Sequence, residues 1–219
     1  MNHCKKIENM AIFMRRKILE ISYRSPHAAH LGGGLSMVEI MATLYAHILN
    51  FDKVNPYWSE RDRFILSKGH GVLGYYSALL AVGFIDEKKY NTYLTNESDL
   101  ISHPIMNLDL GIESSNGSLG QGLSMAIGVA YAAKKDKDLN YKAYVLLGDG
   151  ECNEGSVWEA VMLAPQLMLD NLIAIVDYNK LQSDMTPSCD IINFGNLAAK
   201  FESFGWDVYD VDGHDIVQL

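Results

Sequence analysis

The sequence predicts an α/β fold, a doubly wound and mainly parallel sheet with helices on both faces. Two apolar runs and the pattern around them carry that expectation. Tyr144–Leu147 and Leu172–Val176 are apolar throughout, as strands buried on both faces are, and each ends abruptly in polar residues. Around them the chain alternates helical and strand-like patterns, without internal repeats, low complexity or an obvious linker. Its 219 residues suit one large domain and are short for two.

The elements follow in order. Ile7, Met10, Ala11, Met14, Ile18 and Ile21 recur at helical spacing, which predicts a first helix over most of Asn2–Tyr23. A histidine- and glycine-rich loop, Ser25–Leu35, comes next. Ser36 and Glu39 have the spacing of a capping box and predict a second helix through about Ile48. Phe64–Leu66 suits a short strand, His70–Val82 a helix and Asp86–Leu94 another. From Gly120 to Ala133 the small residues Gly122, Ser124, Ala126, Gly128 and Ala130 suit a helix packed closely on the sheet or on a cofactor. A further helix is expected over roughly Glu154–Met168, and Trp206–Val211 reads as a last strand.

Composition narrows the class of function. Hydrophobic residues make up 48% and charged residues 21%, ordinary values for a globular domain. The net charge of −9 argues against nucleic acid as a partner, since that role needs a basic stripe. Arg15-Arg16-Lys17 reads as a solvated face of the first helix. Cys4, Cys152 and Cys189 are odd in number and lack metal-ligand spacing, which suggests free thiols in a reducing compartment. No segment approaches the length of a membrane span, and the polar N-terminus is unlike a signal peptide. A cytoplasmic protein with no membrane partner is the expectation.

The richest signal is Gly148-Asp149-Gly150, with Asn179 downstream in IAIVDYNKL. A GDG tripeptide alone is usually a plain turn. Placed at a strand end, with a second buried strand leading to Asn179, it reads as a site for a magnesium-bound diphosphate. Magnesium prefers oxygen ligands and takes few from protein, alongside phosphate and water. Asp149 offers a carboxylate, Asn179 an amide oxygen and Leu181 a backbone carbonyl. The flanking glycines are expected to allow a tight turn and close approach of the anion. The N-terminus of the following helix then points its amides at the diphosphate.

At these residues the chain resembles the transketolases, in the version carried by split, two-subunit enzymes. GDGECNEGSVWEA (148–160) and LDNLIAIVDYNKLQ (169–182) look like that family's thiamine diphosphate motif. AHLGGGLSMVEI (29–40), LSKGHGVLGY (66–75), ISHP (101–104) and GIESSNGSLGQGLSMAIG (111–128) resemble its histidine segments and cofactor loop, in the family's order. The resemblance implies the diphosphate-binding domain of a thiamine diphosphate fold, here a single domain over 1–219. It implies thiamine diphosphate and Mg2+ as cofactors, with Asp149, Asn179 and Leu181 on the metal. Gly148, Asp149, Gly150, Glu151, Asn179, Leu181, His70, Gly117, Ser118 and Leu119 are implied on the cofactor, Leu119 as an apolar wall.

Each histidine taken alone reads as a surface or turn residue. The resemblance singles out His30 for substrate hydroxyls and proton transfer, His70 near the diphosphate, and His103 for the hydroxyl of the transferred unit. His27 lies close to His30, but the following glycine run aligns the motif on His30; His3, His47 and His214 read as structural. Glu154 and Glu159 are either solvated charges near a helix start or, as the resemblance implies, residues at the subunit contact that link two cofactor sites.

The implied reaction moves a two-carbon ketol unit from a ketose phosphate to an aldose, through addition of the thiazolium ylid to the ketose carbonyl. The family's activating glutamate belongs to a pyrimidine-binding domain that this sequence lacks. A C-terminal partner subunit is therefore expected to complete the site, in a heterotetramer, with the chain inactive alone. Ser118 and Ser183 stand where proline and an apolar residue are common in the family. The chain ends at Leu219, before the family's next strand and a further active-site histidine, which the resemblance leaves open to three explanations: a truncated copy, completion by the partner, or a shifted activity. Two alternatives remain open. One is a subunit of another thiamine diphosphate enzyme, of the deoxyxylulose phosphate synthase or 2-oxoacid dehydrogenase type, and the other is a noncatalytic cofactor-binding subunit.

Overall fold

The computed structural model describes residues 3–182 except 26, 28 and 137, together with 186–187 and 191–219. Ser183 and Cys189 lie outside the described residues. The chain divides into two compact units, one of residues 1–62, 69–117 and 211–219, the other of residues 63–68 and 118–210.

The first unit is helical. Helix α1 (His3–Arg24) buries Ile7, Ala11, Met14, Ile18 and Ile21 along one face, as the periodicity predicts, while Met10 is only partly covered. Two shorter helices follow, α2 (Leu31–Leu35) and α3 (Val38–Thr43), the latter running on through a wider turn at Leu44–Ile48. Helix α4 (Val72–Val82) is preceded by a tight turn at Gly69–Gly71 and is buried from Val72 to Leu80. It is therefore the center of this unit, with α1, α2 and α3 packed on it. Glycine makes the α2–α4 approach possible: a Cβ on Gly74 would sit 2.8 Å from the Gly34 carbonyl oxygen.

Three expectations change here. The segment Ser25–Leu35 is not loop throughout, because packing against α4 holds the glycine-rich Leu31–Leu35 helical despite its poor propensity. No capping box forms at Ser36. Its backbone is helical and its amide donates to the Gly32 carbonyl (3.0 Å), while its hydroxyl donates to the Gly33 carbonyl (3.3 Å). Glu39 instead is buried and pairs with Arg15 and with His214 Nδ1 (2.8 Å), an ionic demand that outweighs a cap. Finally, α5 is short (Glu87–Tyr90), started by the Asp86 carboxylate accepting from the Lys89 amide at 2.7 Å. The chain leaves it before Leu94, where φ is +56° and the amide turns to the Leu100 carbonyl.

The second unit holds the sheet. Strands β1 (Arg63–Leu66), β2 (Ala143–Gly148) and β3 (Leu172–Asp177) are parallel in the order β1-β2-β3, with Ile65 beside Val145 and Val145 beside Ala174. Helices α6 (Gly122–Lys135) and α7 (Gly155–Gln166) cover one face. That face presents Ile65, Ala143, Val145, Leu147, Ala174 and Val176 to Leu123, Ala126, Ile127, Ala130, Val157, Ala160, Val161 and Ala164. On the other face Phe64, Leu66, Tyr144 and Leu146 are also buried, which explains why these runs are apolar without alternation. Gly122 allows α6 to start against the end of β1, since a Cβ there would meet the Ser67 backbone at 2.8 Å. Ser124 and Gly128 lie on the exposed side of α6, so only part of the predicted small-residue face is used for packing. A two-residue pair, β4 (Leu181–Gln182) with β5 (Thr186–Pro187), and helix α8 (Leu197–Ser203) complete the unit.

Residues 206–211 form no strand. Pro165 inside α7 has no amide to give the Val161 carbonyl, and the Trp206 indole Nε1–H donates to that oxygen instead, at 2.9 Å. With Trp206 also edge-on to Phe201 and Val208 against the core, side chains rather than a ladder anchor this stretch.

The glycines separate into tight and open positions, and their alanine variants should differ in sign. Gly74→Ala is expected to destabilise the protein by about 1–3 kcal/mol, because the methyl group meets backbone. Gly128→Ala, with nothing within 4 Å of its Cβ, is expected to stabilise it by up to about 1 kcal/mol. Urea denaturation of both variants checks the pair.

Candidate functional site

In the second unit the chemistry lies at the carboxyl ends of the parallel strands, where ligands of open α/β sheets gather. β1 runs into Ser67 and Lys68, β2 ends on Gly148-Asp149, and β3 ends on Asp177. Lys68 is fully buried and its ammonium pairs with the buried carboxylate of Asp177. The pair thus spans the sheet from β1 to β3, with the lysine stem in van der Waals range of a Cβ built on Gly148 (3.8 Å).

The predicted metal ligands are brought together. The Asp149 Oδ2 accepts from the amide of Lys180 (3.1 Å), the residue between Asn179 and Leu181. The Asn179 Oδ1 accepts from the Leu181 amide (2.9 Å), closing a turn in which Lys180 has φ +63°. Carboxylate, amide oxygen and backbone carbonyl are hard oxygen donors, and this set fits magnesium. Among the described residues there is no cluster of three or more His, Cys, Asp or Glu able to hold a metal, so a cation here would depend on amide and carbonyl oxygens as well.

The glycines beside Asp149 act differently from expectation. Neither Gly148 nor Gly150 has a positive φ, so neither is needed for an unusual turn. Gly150 lies against the Gln182 side chain, whose Cδ would be 2.9 Å from a Cβ built there and can swing aside. After it comes a tight turn at Gly150–Asn153, and α7 starts only at Gly155. Glu154 is the residue before that helix, makes no side-chain cap and is exposed, as is Glu159. Ser118 is exposed and Leu119 half-buried in the loop before α6.

Glu151 is buried, and its carboxylate accepts from Ser67 Oγ, from the Gly120 amide (2.8 Å) and from the Gly148 amide (3.1 Å). Burial holds its pKa above the usual carboxylate value, against the lowering effect of those bonds and of Lys68. Burial also pushes the neighbouring Cys152 thiol up to about 12.

In the first unit His30, His70 and His103 converge. The ring of His30 lies 5.8 Å from that of His70 and 6.0 Å from that of His103, centroid to centroid. Glycines make the room: a Cβ on Gly33 would sit 2.7 Å from His70 Cδ2, and one on Gly69 3.1 Å from His103 Cδ2. Gly117 also lies against His103, at 3.5 Å by the same measure. The segment carrying Gly117 is tied down by a hydrogen bond from the Asn116 amide to the Pro104 carbonyl (3.1 Å). In the same unit, Arg61 clamps Glu113 in a two-bond pair at 2.7 and 2.8 Å. Desolvation, and then the proximity of His30, lower the pKa of His103, whose Nδ1 is 3.2 Å from Ser102 Oγ. A neutral imidazole there can both donate and accept a hydrogen bond. His3 and His47 lie together with their rings tilted, 4.2 Å between centroids, apart from this group.

Sequence reasoning passed over Ser67, Lys68 and Asp177. Their signal was present, since each polar residue directly follows or ends an apolar strand run within the LSKGH and IAIVD segments.

Comparisons with known proteins bear on the family and the fold. Residues 12–219 match the family model described as transketolase, thiamine diphosphate binding domain. One subunit of the apulose-4-phosphate transketolase of Actinobacillus succinogenes is 45% identical over 212 residues, which cover 96% of this chain and 76% of that protein. The 6-deoxy-6-sulfo-D-fructose transketolase subunit SqwG of Clostridium sp. (strain MSTE9) is 43% identical, over 87% of this chain and 68% of that protein. The crystal structure of transketolase from Campylobacter jejuni superposes with a TM-score of 0.84 at 29% identity, covering 100% of this chain and 34% of that one. The chain thus spans about a third of the length of that solved transketolase.

Two outcomes follow from the buried groups. Lys68→Met is expected to cost about 3–5 kcal/mol, because it leaves the Asp177 carboxylate buried without its cation; chemical denaturation measures it. Cys152 holds its proton to higher pH when folded than when unfolded, so its contribution to stability is lost as pH rises from about 8.5 toward the folded value of about 12. At pH 8 iodoacetamide should therefore spare Cys152 in the folded protein and label it after unfolding, as peptide mass spectrometry would read.

Proposed function

We propose that this chain, which belongs to the transketolase family, is the thiamine diphosphate-binding subunit of a two-subunit enzyme that moves a ketol unit from a ketose phosphate to an aldose. The observation that carries the site assignment is the hydrogen bond from the Lys180 amide to Asp149, which gathers Asp149, Asn179 and Leu181 at the strand ends. In this reading those residues hold Mg2+ through oxygen, and the Gly148–Gly150 turn lies against the diphosphate.

Bound thiamine diphosphate supplies a carbon nucleophile and an electron sink for breaking a carbon–carbon bond. The chain's own residues bind and orient. His30, His70 and His103 are assigned to the substrate and cofactor side, where closely spaced imidazoles suit a polyhydroxylated ligand. The lowered pKa of His103 favours the neutral ring, able to donate to one hydroxyl while accepting from another. Gly117, Ser118 and Leu119 are assigned to the cofactor rings, and Glu154 and Glu159, exposed around the start of α7, to the contact with the partner.

The partner in this reading is a C-terminal subunit carrying the pyrimidine-binding domain, assembled with this chain as a heterotetramer. Relatives named as single subunits of transketolases support it. Those names also favour ketol transfer over deoxyxylulose phosphate synthesis or 2-oxoacid dehydrogenation. Residues 1–219 are read as one diphosphate-binding domain, since the family match runs through both compact units. Among the described residues no helix is long and apolar enough to cross a membrane.

The test is transfer from xylulose 5-phosphate to ribose 5-phosphate, with thiamine diphosphate and Mg2+, by the chain copurified with its partner. Activity is expected in the complex, none in the chain alone, and at least about a hundredfold loss on Asp149→Ala. Turnover by the single chain would overturn the two-subunit reading.

A further inference from the structure

The loop before α6 and the Gly148–Gly150 turn are far apart in sequence, yet one buried side chain joins them. Glu151 Oε1 accepts from the Gly120 amide (2.8 Å) and from Ser67 Oγ, while Oε2 accepts from the Gly148 amide (3.1 Å). The residue is 2% exposed. Both oxygens of the carboxylate are thus occupied by the chain itself, at the ends of β1 and β2 and at the entry to α6.

Gly120 is held from its other side as well. Its carbonyl accepts from Ser156 Oγ at 3.0 Å. Its φ is +84°, and a Cβ would lie 2.7 Å from the Glu154 Cβ. The peptide at Gly120 is therefore gripped through amide and carbonyl by residues of the stretch that follows β2.

We propose that Glu151 is a positioning residue that sets the segment Ser118–Gln121 against the Gly148–Gly150 turn and touches no ligand itself. This rests on the reading of that turn as a diphosphate site, and it differs from the direct cofactor contact implied by the sequence resemblance. The chemistry requires a carboxylate. Two of the three partners are backbone amides, which only donate, so the side chain must accept at both ends. In Glu151→Gln either orientation of the amide sets an NH2 group against a backbone N–H, and one buried donor is orphaned.

The experiment uses the full chain with two readouts, amide hydrogen exchange and calorimetric binding of inorganic diphosphate with Mg2+. Glu151→Gln is expected to speed exchange at Gly120 or Gly148 by about tenfold and to weaken diphosphate binding by a similar factor, the effect of one lost buried hydrogen bond. Ser67→Ala is a milder second variant that removes one anchor and should speed Gly120 exchange by about threefold. Weaker binding with unchanged exchange in Glu151→Gln would make Glu151 a ligand contact and overturn the proposal. Unchanged exchange in both variants would overturn it as well. If the unaltered chain binds no diphosphate, the diphosphate reading fails, while the exchange results still decide whether Glu151 holds the loop.

Discussion

Charge buried at the ends of parallel strands is the constraint around which the second unit is built. Lys68, Asp177 and Glu151 are all withdrawn from water at the carboxyl edge of the sheet. A buried ion is tolerated only when paired and hydrogen-bonded, so each one dictates the position of its neighbours. The Lys68–Asp177 pair ties β1 to β3 across the end of β2, and Glu151 draws in the amides of Gly120 and Gly148. The turn carrying Asp149 is thereby held from several directions before any ligand arrives. In the proposed reading, this is the preorganisation that a site for a charged diphosphate requires.

The first unit solves a different problem, bringing three imidazoles edge to edge. It does so with missing side chains. Gly33 and Gly69 give up the volume that His70 and His103 occupy, and the contact of Gly34 with Gly74 lets α2 approach the buried α4. The poor helix propensity of Leu31–Leu35 is outweighed by that packing, so a segment that looks like loop is held as helix at the position where His30 precedes it.

Local signals misled where a tertiary partner changed the balance. Ser36 and Glu39 have capping-box spacing, but Glu39 is claimed by Arg15 and His214, the latter far away in sequence. Trp206–Val211 has strand composition, but Pro165 leaves a helix carbonyl open and the Trp206 indole takes it. Ser67 and Lys68 are marked by their place at the end of an apolar strand run, but no local signal pairs them with Glu151 and Asp177, which are distant along the chain.

The sequence by its own pattern specified the first helix, the three buried parallel strands and the main helices between them. Unbroken apolar runs ending in polar residues specify buried parallel strands, and the GDG and Asn179 segments put oxygen-bearing side chains at the ends of those strands, because both depend only on what each residue can bury or carry. How the polar groups are shared out depends instead on the tertiary fold. The Glu151 carboxylate is committed to Ser67, Gly120 and Gly148, and the Lys68 ammonium to Asp177. Those pairings join residues distant along the chain and are selected by the cost of leaving a buried charge unmatched, a quantity that exists only once the strands have come together.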